Sequence, residues 1–177
     1  RSDDSLYAER LVAFAAKEGI FQAGNYASMF WLTDKKIMPG LAMANRNICR
    51  DRGAYTDFSC LLFAHLRTKP NPKIIEKIIT EAVEIEKEYY SNSLPVEKFG
   101  MDLKSIHTYI EFVADGLLQG FGNEKYYNAV NPFEFMEDVA TAGKTTFFEK
   151  KVSDYQKASD MSKSATPSKE INFDDDF

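Results

Sequence analysis

The sequence predicts an all-α fold, and two observations carry that prediction. Apolar residues recur at spacings of three and four along most of the 177 residues, which is the pattern of helices with one buried face. The periodic runs are separated by helix-breaking clusters, namely Pro39-Gly40, Pro70-Asn71-Pro72 and Leu94-Pro95. With 44% apolar residues, the chain can bury a core of its own within a single domain.

The first half of the sequence predicts two long helices. Asp3, Asp4 and Ser5 are candidate N-caps for a continuous helix over residues 6–32. That run is apolar on more than one side, so we expect it to lie buried between neighbours. Pro39-Gly40 marks its stop, and a second helix follows over residues 41–66.

Two further helices are predicted beyond residue 70. Asn71 is the N-cap and Pro72 the first residue of a helix to residue 91, because proline fits the first helical position. Another helix covers residues 102–119 and ends at Gly120-Phe121-Gly122. The acidic residues of the third helix alternate with lysines and are interpreted as one solvated face; they are Glu81, Glu84, Glu86 and Glu88.

The C-terminal part of the sequence changes character. Residues 123–143 are irregular and aromatic, and a short amphipathic segment is predicted over residues 146–155. Beyond Ala158 the composition is dominated by Ser, Lys, Asp, Thr and Pro, which cannot offset the entropy of ordering. The sequence therefore predicts a folded part over residues 1–155 and a disordered tail over residues 156–177.

Charge, hydropathy and cysteine usage exclude several classes of protein. The net charge of −5 is spread along the chain, so no basic face for nucleic acid is expected. No apolar run approaches the roughly 20 residues that cross a bilayer, and no signal peptide is expected. Cys49 and Cys60, about 16 Å apart on one predicted helix, are too distant for a disulfide and are expected to be reduced thiols.

Ordered motifs along almost the whole chain resemble the small subunit of class I ribonucleotide reductase. The resemblance implies the C-terminal half of a ferritin-like helical bundle, and the start at Arg1-Ser2 without methionine looks like a cut in a longer protein. The matching motifs are Lys17-Glu18-Gly19-Ile20-Phe21, Ala27-Ser28-Met29-Phe30-Trp31-Leu32, Met38-Pro39-Gly40-Leu41, Arg50-Asp51, Asp57-Phe58, Tyr109-Ile110-Glu111-Phe112-Val113-Ala114-Asp115, Asn131-Pro132-Phe133-Glu134-Phe135-Met136-Glu137, Gly143-Lys144-Thr145-Thr146-Phe147-Phe148-Glu149-Lys150 and Asp176-Phe177.

The metal-ligand motif of this family is altered in the chain. Metal-competent members carry Arg-Asp-Glu-Gly-x-His, where residues 50–55 here read Arg-Asp-Arg-Gly-Ala-Tyr. The resemblance thus implies that Glu18 is a retained ligand, while Arg52 and Tyr55 replace a Glu and a His. Gln22 replaces a phenylalanine that lines the radical pocket. Because a guanidinium offers only donors and a phenol is a poor substitute for imidazole, we expect no functional metal site and no cofactor in this chain.

The resemblance places Arg52 in the centre of the bundle, although the bare sequence would allow an ordinary surface arginine. We hypothesise that its cation compensates buried carboxylates, Glu18 included, that a metal would otherwise neutralise. Arg52→Glu should then destabilise the folded protein by leaving those acids unpaired.

The end of the chain resembles the peptide with which this family binds its large catalytic subunit. Two phenylalanines would be the apolar anchors and the aspartates would favour a basic rim; the expected binding residues are Phe173, Asp174, Asp175, Asp176 and Phe177. Tyr155 matches the tyrosine that relays the radical between subunits, and Asp51 an aspartate near the start of that path. In a chain without iron, both can also be remnants of the radical path.

These resemblances imply a cofactor-deficient partner subunit of ribonucleoside-diphosphate reductase, similar to the iron-ligand-deficient chain of the fungal heterodimeric small subunit. It would pair with a metal-competent paralogue that holds the di-iron centre and tyrosyl radical, and the complex would make deoxyribonucleotides for DNA synthesis. The expected location is the cytoplasm, with the nucleus left open. The alternatives are an active radical-generating small subunit and a ferritin-like iron oxidase or store, which would not explain the Phe-ended tail.

Overall fold

A computed structural model describes residues 7–35, 39–93 and 100–136, apart from the side chains of residues 39 and 42. The described residues contain five helices and no strand, which confirms the all-α prediction. The helices are α1 (Tyr7–Gly19), α2 (Ala23–Asp34), α3 (Pro39–Ala64), α4 (Pro72–Ser93) and α5 (Leu103–Gly120). The predicted segment 146–155 and the predicted tail lie outside the described residues.

The single helix predicted over residues 6–32 is wrong, because the structure divides this run into α1 and α2. Gln22 adopts a left-handed conformation with φ 75°, which a right-handed helix cannot contain. A short turn connects the two helices, in which Ile20 N–H donates to the Ala16 carbonyl at 2.8 Å and Ala23 N–H to the Ile20 carbonyl at 3.0 Å. We call residues 20–22 the helix break.

The starts of the later helices follow from local side-chain chemistry. Pro39 is the first residue of α3, so the predicted stop is also the start of the next helix. At α4 the Asn71 Oδ1 accepts a hydrogen bond from the Lys73 N–H at 2.9 Å. At α5 the Asp102 carboxylate accepts from the backbone N–H groups of Lys104 and Ser105, which satisfies two donors that lack helical partners.

The core lies where α1 meets α3, α4 and α5, and where α2 packs on the same three helices. Its side chains are fully or almost fully buried, and include Val12, Ala15, Ile20, Phe30, Phe63, Ile79, Val83, Ile106, Ile110 and Leu118. One face of α3 is exposed and carries Leu41, Ile48, Tyr55 and Phe58. None of the described helices is long and apolar enough to span a membrane.

Helix α4 approaches the start of α2 through an aromatic ring on a glycine. Tyr90 is fully buried, and its ring lies where a side chain on Gly24 would begin, with ring carbon Cδ2 2.6 Å from an ideal Cβ position. The Tyr90 hydroxyl forms a hydrogen bond with the Ser28 hydroxyl. This contact fixes the position of α4 along α2. It also requires a residue without a Cβ atom at position 24.

We therefore predict that Gly24→Ala destabilises the full-length natural protein by about 2 kcal/mol or more, because a methyl group would overlap the Tyr90 ring. Gly116→Ala on α5 is the matched control, since nothing lies within 4 Å of its Cβ position and alanine favours helix. Chemical denaturation of both variants measures the difference. Equal stabilities of the two variants would contradict the contact.

Asp115 on α5 fastens the irregular segment that follows the helix. Its side chain is 1% exposed, and its Oδ1 accepts hydrogen bonds from the Tyr126 and Tyr127 N–H groups, both at 2.9 Å. Its Oδ2 accepts from the Ala129 N–H at 3.0 Å. One buried carboxylate thus satisfies three backbone donors of a segment without helical structure.

We predict that Asp115→Ala lowers the free energy of unfolding by about 3 kcal/mol, because three backbone donors lose their buried acceptor. In the same variant, hydrogen exchange at the amides of residues 126–129 should become faster. Asp102→Ala removes an exposed helix cap and should cause a smaller loss, without faster exchange in that segment. If hydrogen exchange at residues 126–129 increases no more in Asp115→Ala than in Asp102→Ala, Asp115 does not hold the segment.

Candidate functional site

Three residues of the altered ligand motif meet at the helix break. Glu18 lies in the last turn of α1, Gln22 is the residue before α2, and Arg52 comes from the middle of α3. The Arg52 Nε lies 3.2 Å from the Glu18 Oε2 in an ion pair. Its Nη1 donates to the Gln22 Oε1 at 2.9 Å, and its Nη2 donates to the Lys17 carbonyl at 2.7 Å. We call this group the Arg52 cluster.

The Arg52–Glu18 ion pair is largely shielded from water, whereas Gln22 is exposed. The side chain of Arg52 is 15% exposed and that of Glu18 is 12% exposed, whereas Lys17, which also pairs with Glu18 at 3.0 Å, is 64% exposed. Tyr26 adds its ring, with its centroid 5.9 Å from the Arg52 guanidinium carbon, a distance at which the ring face attracts a cation. Because both side chains are shielded from water, removing either Arg52 or Glu18 would leave the other as an uncompensated charge and destabilise the fold.

Glu86 on α4 is a member of this site that the sequence interpretation missed. The predicted solvated face holds for Glu81, Glu84 and Glu88, but Glu86 is only 3% exposed. Burial raises the pKa of the Glu86 carboxyl, against a smaller opposing influence of the nearby backbone N–H groups of Gln22 and Gly24 and of the Arg52 cation. Its Oε1 accepts no hydrogen bond from any described residue.

A signal for this burial was present in the periodicity of α4. Glu86 falls in step with Ile79, Val83 and Tyr90, all of which are fully buried, at spacings of three and four residues. The three other glutamates occupy different angular positions on the same helix. A helical-wheel projection of α4 therefore separates Glu86 from the solvated acids, although the four glutamates lie close together in the sequence.

The structure does not bring the described residues Tyr55 and Asp51 to the cluster. Tyr55 is 55% exposed on the outer face of α3, and no hydrogen bond among the described residues joins its phenol to Glu18 or Arg52. Asp51 is exposed and pairs with Arg50 at 3.1 Å. Tyr155 and the predicted binding residues Phe173, Asp174, Asp175, Asp176 and Phe177 lie outside the described residues.

Cys49 and Cys60 share α3 and are free thiols, as predicted. Burial raises the pKa of the Cys49 and Cys60 thiols, so both are protonated and poorly nucleophilic at neutral pH. They are therefore partly buried apolar contacts, and we assign them no chemistry.

The residues of the cluster do not fit a di-iron centre. Carboxylates that hold iron in helical bundles must direct free oxygens at the metal, but Glu18 is engaged by Arg52 and Lys17. The guanidinium supplies only donors and a positive charge beside that acid. Among the described residues, no three His, Cys, Asp or Glu side chains are grouped to hold a metal ion.

The described helices bring a carboxylate, Glu18 of α1, to a side chain of α3, and an all-helical bundle of this kind is the architecture of the ferritin-like carboxylate proteins. The family model described as ribonucleotide reductase, small chain, matches residues 1–132. The chain belongs to the ribonucleotide reductase small-chain family.

The similar proteins include both small chains of one organism. The chain is 99% identical over 176 residues to ribonucleoside-diphosphate reductase small chain 2 of Saccharomyces cerevisiae, covering 99% of this chain and 51% of that protein. It is 57% identical to small chain 1 of the same yeast, over 98% of this chain and 44% of that protein. The chain thus spans about half the length of the curated relatives it matches.

A solved structure agrees with these relatives. The structure of the Rnr4 homodimer from Saccharomyces cerevisiae matches with a TM-score of 0.74 and 94% sequence identity, over 88% of this chain and 47% of that chain. The helical arrangement described above is therefore that of a ribonucleotide reductase small chain.

The Arg52 cluster leads to a prediction about stability. Arg52→Glu should lower the free energy of unfolding of the full-length protein by about 3–5 kcal/mol, because it removes the cation and adds an acid beside Glu18 and Glu86. Arg50→Glu is the matched control on the same helix, since Arg50 pairs only with exposed Asp51 and such pairs contribute about 0–1 kcal/mol. An unchanged melting temperature for Arg52→Glu would exclude the compensating role.

Proposed function

We propose that this chain is part of a cofactor-deficient small subunit of ribonucleoside-diphosphate reductase, which pairs with a metal-competent paralogue and activates it. The paralogue would hold the di-iron centre and the tyrosyl radical. The complex would then reduce ribonucleoside diphosphates to the deoxyribonucleotides needed for DNA synthesis. In this proposal the chain contributes binding surface and conformation, and the chemistry of the radical belongs to the partner.

The observation that carries the proposal is the Arg52–Glu18 ion pair. Glu18 is the carboxylate that the family pattern assigns to metal, and here its charge is balanced by a cation of the protein itself. A site that already holds a permanent positive charge disfavours a divalent cation by electrostatic repulsion. The charge balance of the folded bundle is therefore achieved without a cofactor.

The relatives support the pairing. Saccharomyces cerevisiae has two distinct small chains, and this chain is similar to both, at 99% and 57% identity. Two distinct small chains of one family fit a division of labour, in which one would bind metal and the other would support it. We place the assembly in the cytoplasm, with the nucleus as a second location.

The first test measures activation of the paralogue. The full-length protein that contains this chain is mixed with the metal-competent paralogue, ferrous iron and oxygen, and tyrosyl radical per paralogue chain is counted by electron paramagnetic resonance. We expect a several-fold higher radical yield with this protein than with the paralogue alone. An equal yield, with the two proteins migrating separately on a sizing column, would overturn the supporting role.

The second test concerns the end of the chain. Deleting Phe173–Phe177 should abolish binding to the large catalytic subunit but leave the radical yield of the paralogue unchanged, because the terminal peptide carries the two apolar anchors. Replacing Asp174, Asp175 and Asp176 by asparagine retains those anchors, and should weaken the binding and its salt dependence. Undiminished binding after the deletion would show that the terminal peptide does not carry the interaction with the large subunit.

A further inference from the structure

Gln22 holds its backbone in a conformation that its residue type rarely adopts. Its φ of 75° lies in the left-handed region, where a Cβ atom is disfavoured and glycine is the usual residue. Asn128 is the other described non-glycine residue with a positive φ, but asparagine is several-fold enriched in that region. Because glutamine has no such preference, an interaction beyond the local backbone must support the conformation of Gln22.

The side chain of Gln22 is engaged by Arg52 of α3. Its Oε1 accepts a hydrogen bond from the Arg52 Nη1 at 2.9 Å, and it forms no capping hydrogen bond with α2, although Gln22 occupies the N-cap position. N-cap side chains ordinarily accept from the first N–H groups of their own helix. Here the acceptor bonds to a cation of another helix, and a hydrogen bond from a charged donor is stronger than one between neutral groups.

A second nitrogen of the same guanidinium bonds to α1. The Arg52 Nη2 donates to the Lys17 carbonyl at 2.7 Å, and the last carbonyl groups of a helix lack partners within it. Lys17 lies in the last turns of α1, whereas Gln22 is the final residue of the helix break. One planar group, whose donors have a fixed geometry, therefore spans the break.

Close packing of α1 against α3 brings Arg52 to this position. Gly19 is the last residue of α1, and the Thr56 Cγ2 of α3 lies 3.3 Å from the ideal Cβ position on this glycine. Thr56 follows Arg52 by one helical turn on the same face of α3, and its hydroxyl donates to the Arg52 carbonyl at 3.1 Å. The end of α1 thus lies directly beside the turn of α3 that carries Arg52.

We propose that Gln22 is a positioning residue of the Arg52 cluster: its side chain holds the Arg52 guanidinium across the helix break and so directs the Arg52 Nε at Glu18. The Nε lies 3.2 Å from the Glu18 Oε2 but makes no hydrogen bond with the described residues. The geometry of this ion pair therefore depends on how the other two nitrogens are held. In return, the bond from Arg52 keeps Gln22 in its left-handed conformation.

This assignment goes beyond the proposed function and does not rest on it, because it is defined by contacts within one chain. It requires that Gln22 and Arg52 act as a pair. If Gln22 acted only through its own backbone, replacing its side chain would have the same effect whichever residue occupied position 52. If it positions Arg52, most of that effect should disappear once the guanidinium has been removed.

A double-mutant cycle on the full-length protein tests this coupling. Gln22→Met, which replaces the acceptor amide by a thioether of similar length, Arg52→Met and the double variant are unfolded with denaturant at pH 7. We expect Gln22→Met to raise the unfolding equilibrium constant by about fivefold in the natural protein, and by less than about twofold in the Arg52→Met background. An equal effect of Gln22→Met in both backgrounds overturns the assignment.

Hydrogen exchange answers the same question with Arg52 in place, so it also decides the case in which Arg52→Met does not fold. Gln22→Met should speed exchange several-fold at the Ala23 and Tyr26 amides, whose hydrogen bonds close the break and begin α2. Gln22→Glu keeps an acceptor oxygen for the guanidinium and should retain most of the protection. Gln119→Met is the matched control, because Gln119 is exposed on α5 and its side chain makes no hydrogen bond with the described residues.

Two results of the exchange experiment would overturn the assignment. One is equal exchange at the Ala23 and Tyr26 amides in Gln22→Met and Gln119→Met, which would mean that the Gln22 side chain does not support the break. The other is exchange in Gln22→Glu as fast as in Gln22→Met, which would mean that the acceptor oxygen at position 22 is not what holds Arg52.

Discussion

The Arg52 guanidinium joins three parts of the chain that are distant in sequence. It pairs with Glu18 at the end of α1, bonds to the Lys17 carbonyl and holds the Gln22 side chain at the break. The rest of the site is arranged around this charge. An arginine that is shielded from water cannot be neutralised by losing its proton, so it needs acids and acceptors around it. Glu18, the Lys17 carbonyl and Gln22 supply them, although the Arg52 Nε makes only the ion pair and no hydrogen bond with the described residues.

The same charge balances carboxylates at and near the helix break. Buried carboxylates are tolerated only when a cation, a metal or several donors balance them. Glu18 pairs with Arg52 and Lys17, and the Gln22 and Gly24 N–H groups and the Arg52 cation lower the pKa of the Glu86 carboxyl, against the larger effect of burial. In the proposed function, an arginine at an acidic ligand position would thus change the counter-ion, and the small-chain fold would be retained around it.

Sequence patterns predicted the helices well where local chemistry defines them. Asn71 caps α4 as predicted, and α5 begins one residue after its predicted start because Asp102 caps it; such caps depend only on residues close in sequence. The break at Gln22 was not predictable in this way, since a left-handed glutamine is supported by Arg52 from 30 residues away. Glu86 was missed for a related reason: its neighbours Glu84 and Glu88 are solvated, and only packing against α2 distinguishes it.

The measurement that tests the central claim most directly is iron per chain. The full-length protein is exposed to ferrous iron and oxygen without any partner, desalted, and its iron content is compared with that of the metal-competent paralogue treated alike. The account predicts background iron, because the Arg52 cation already balances Glu18. About two iron ions per chain, the content of a complete carboxylate-bridged site, would contradict it and make this protein a radical-generating subunit in its own right.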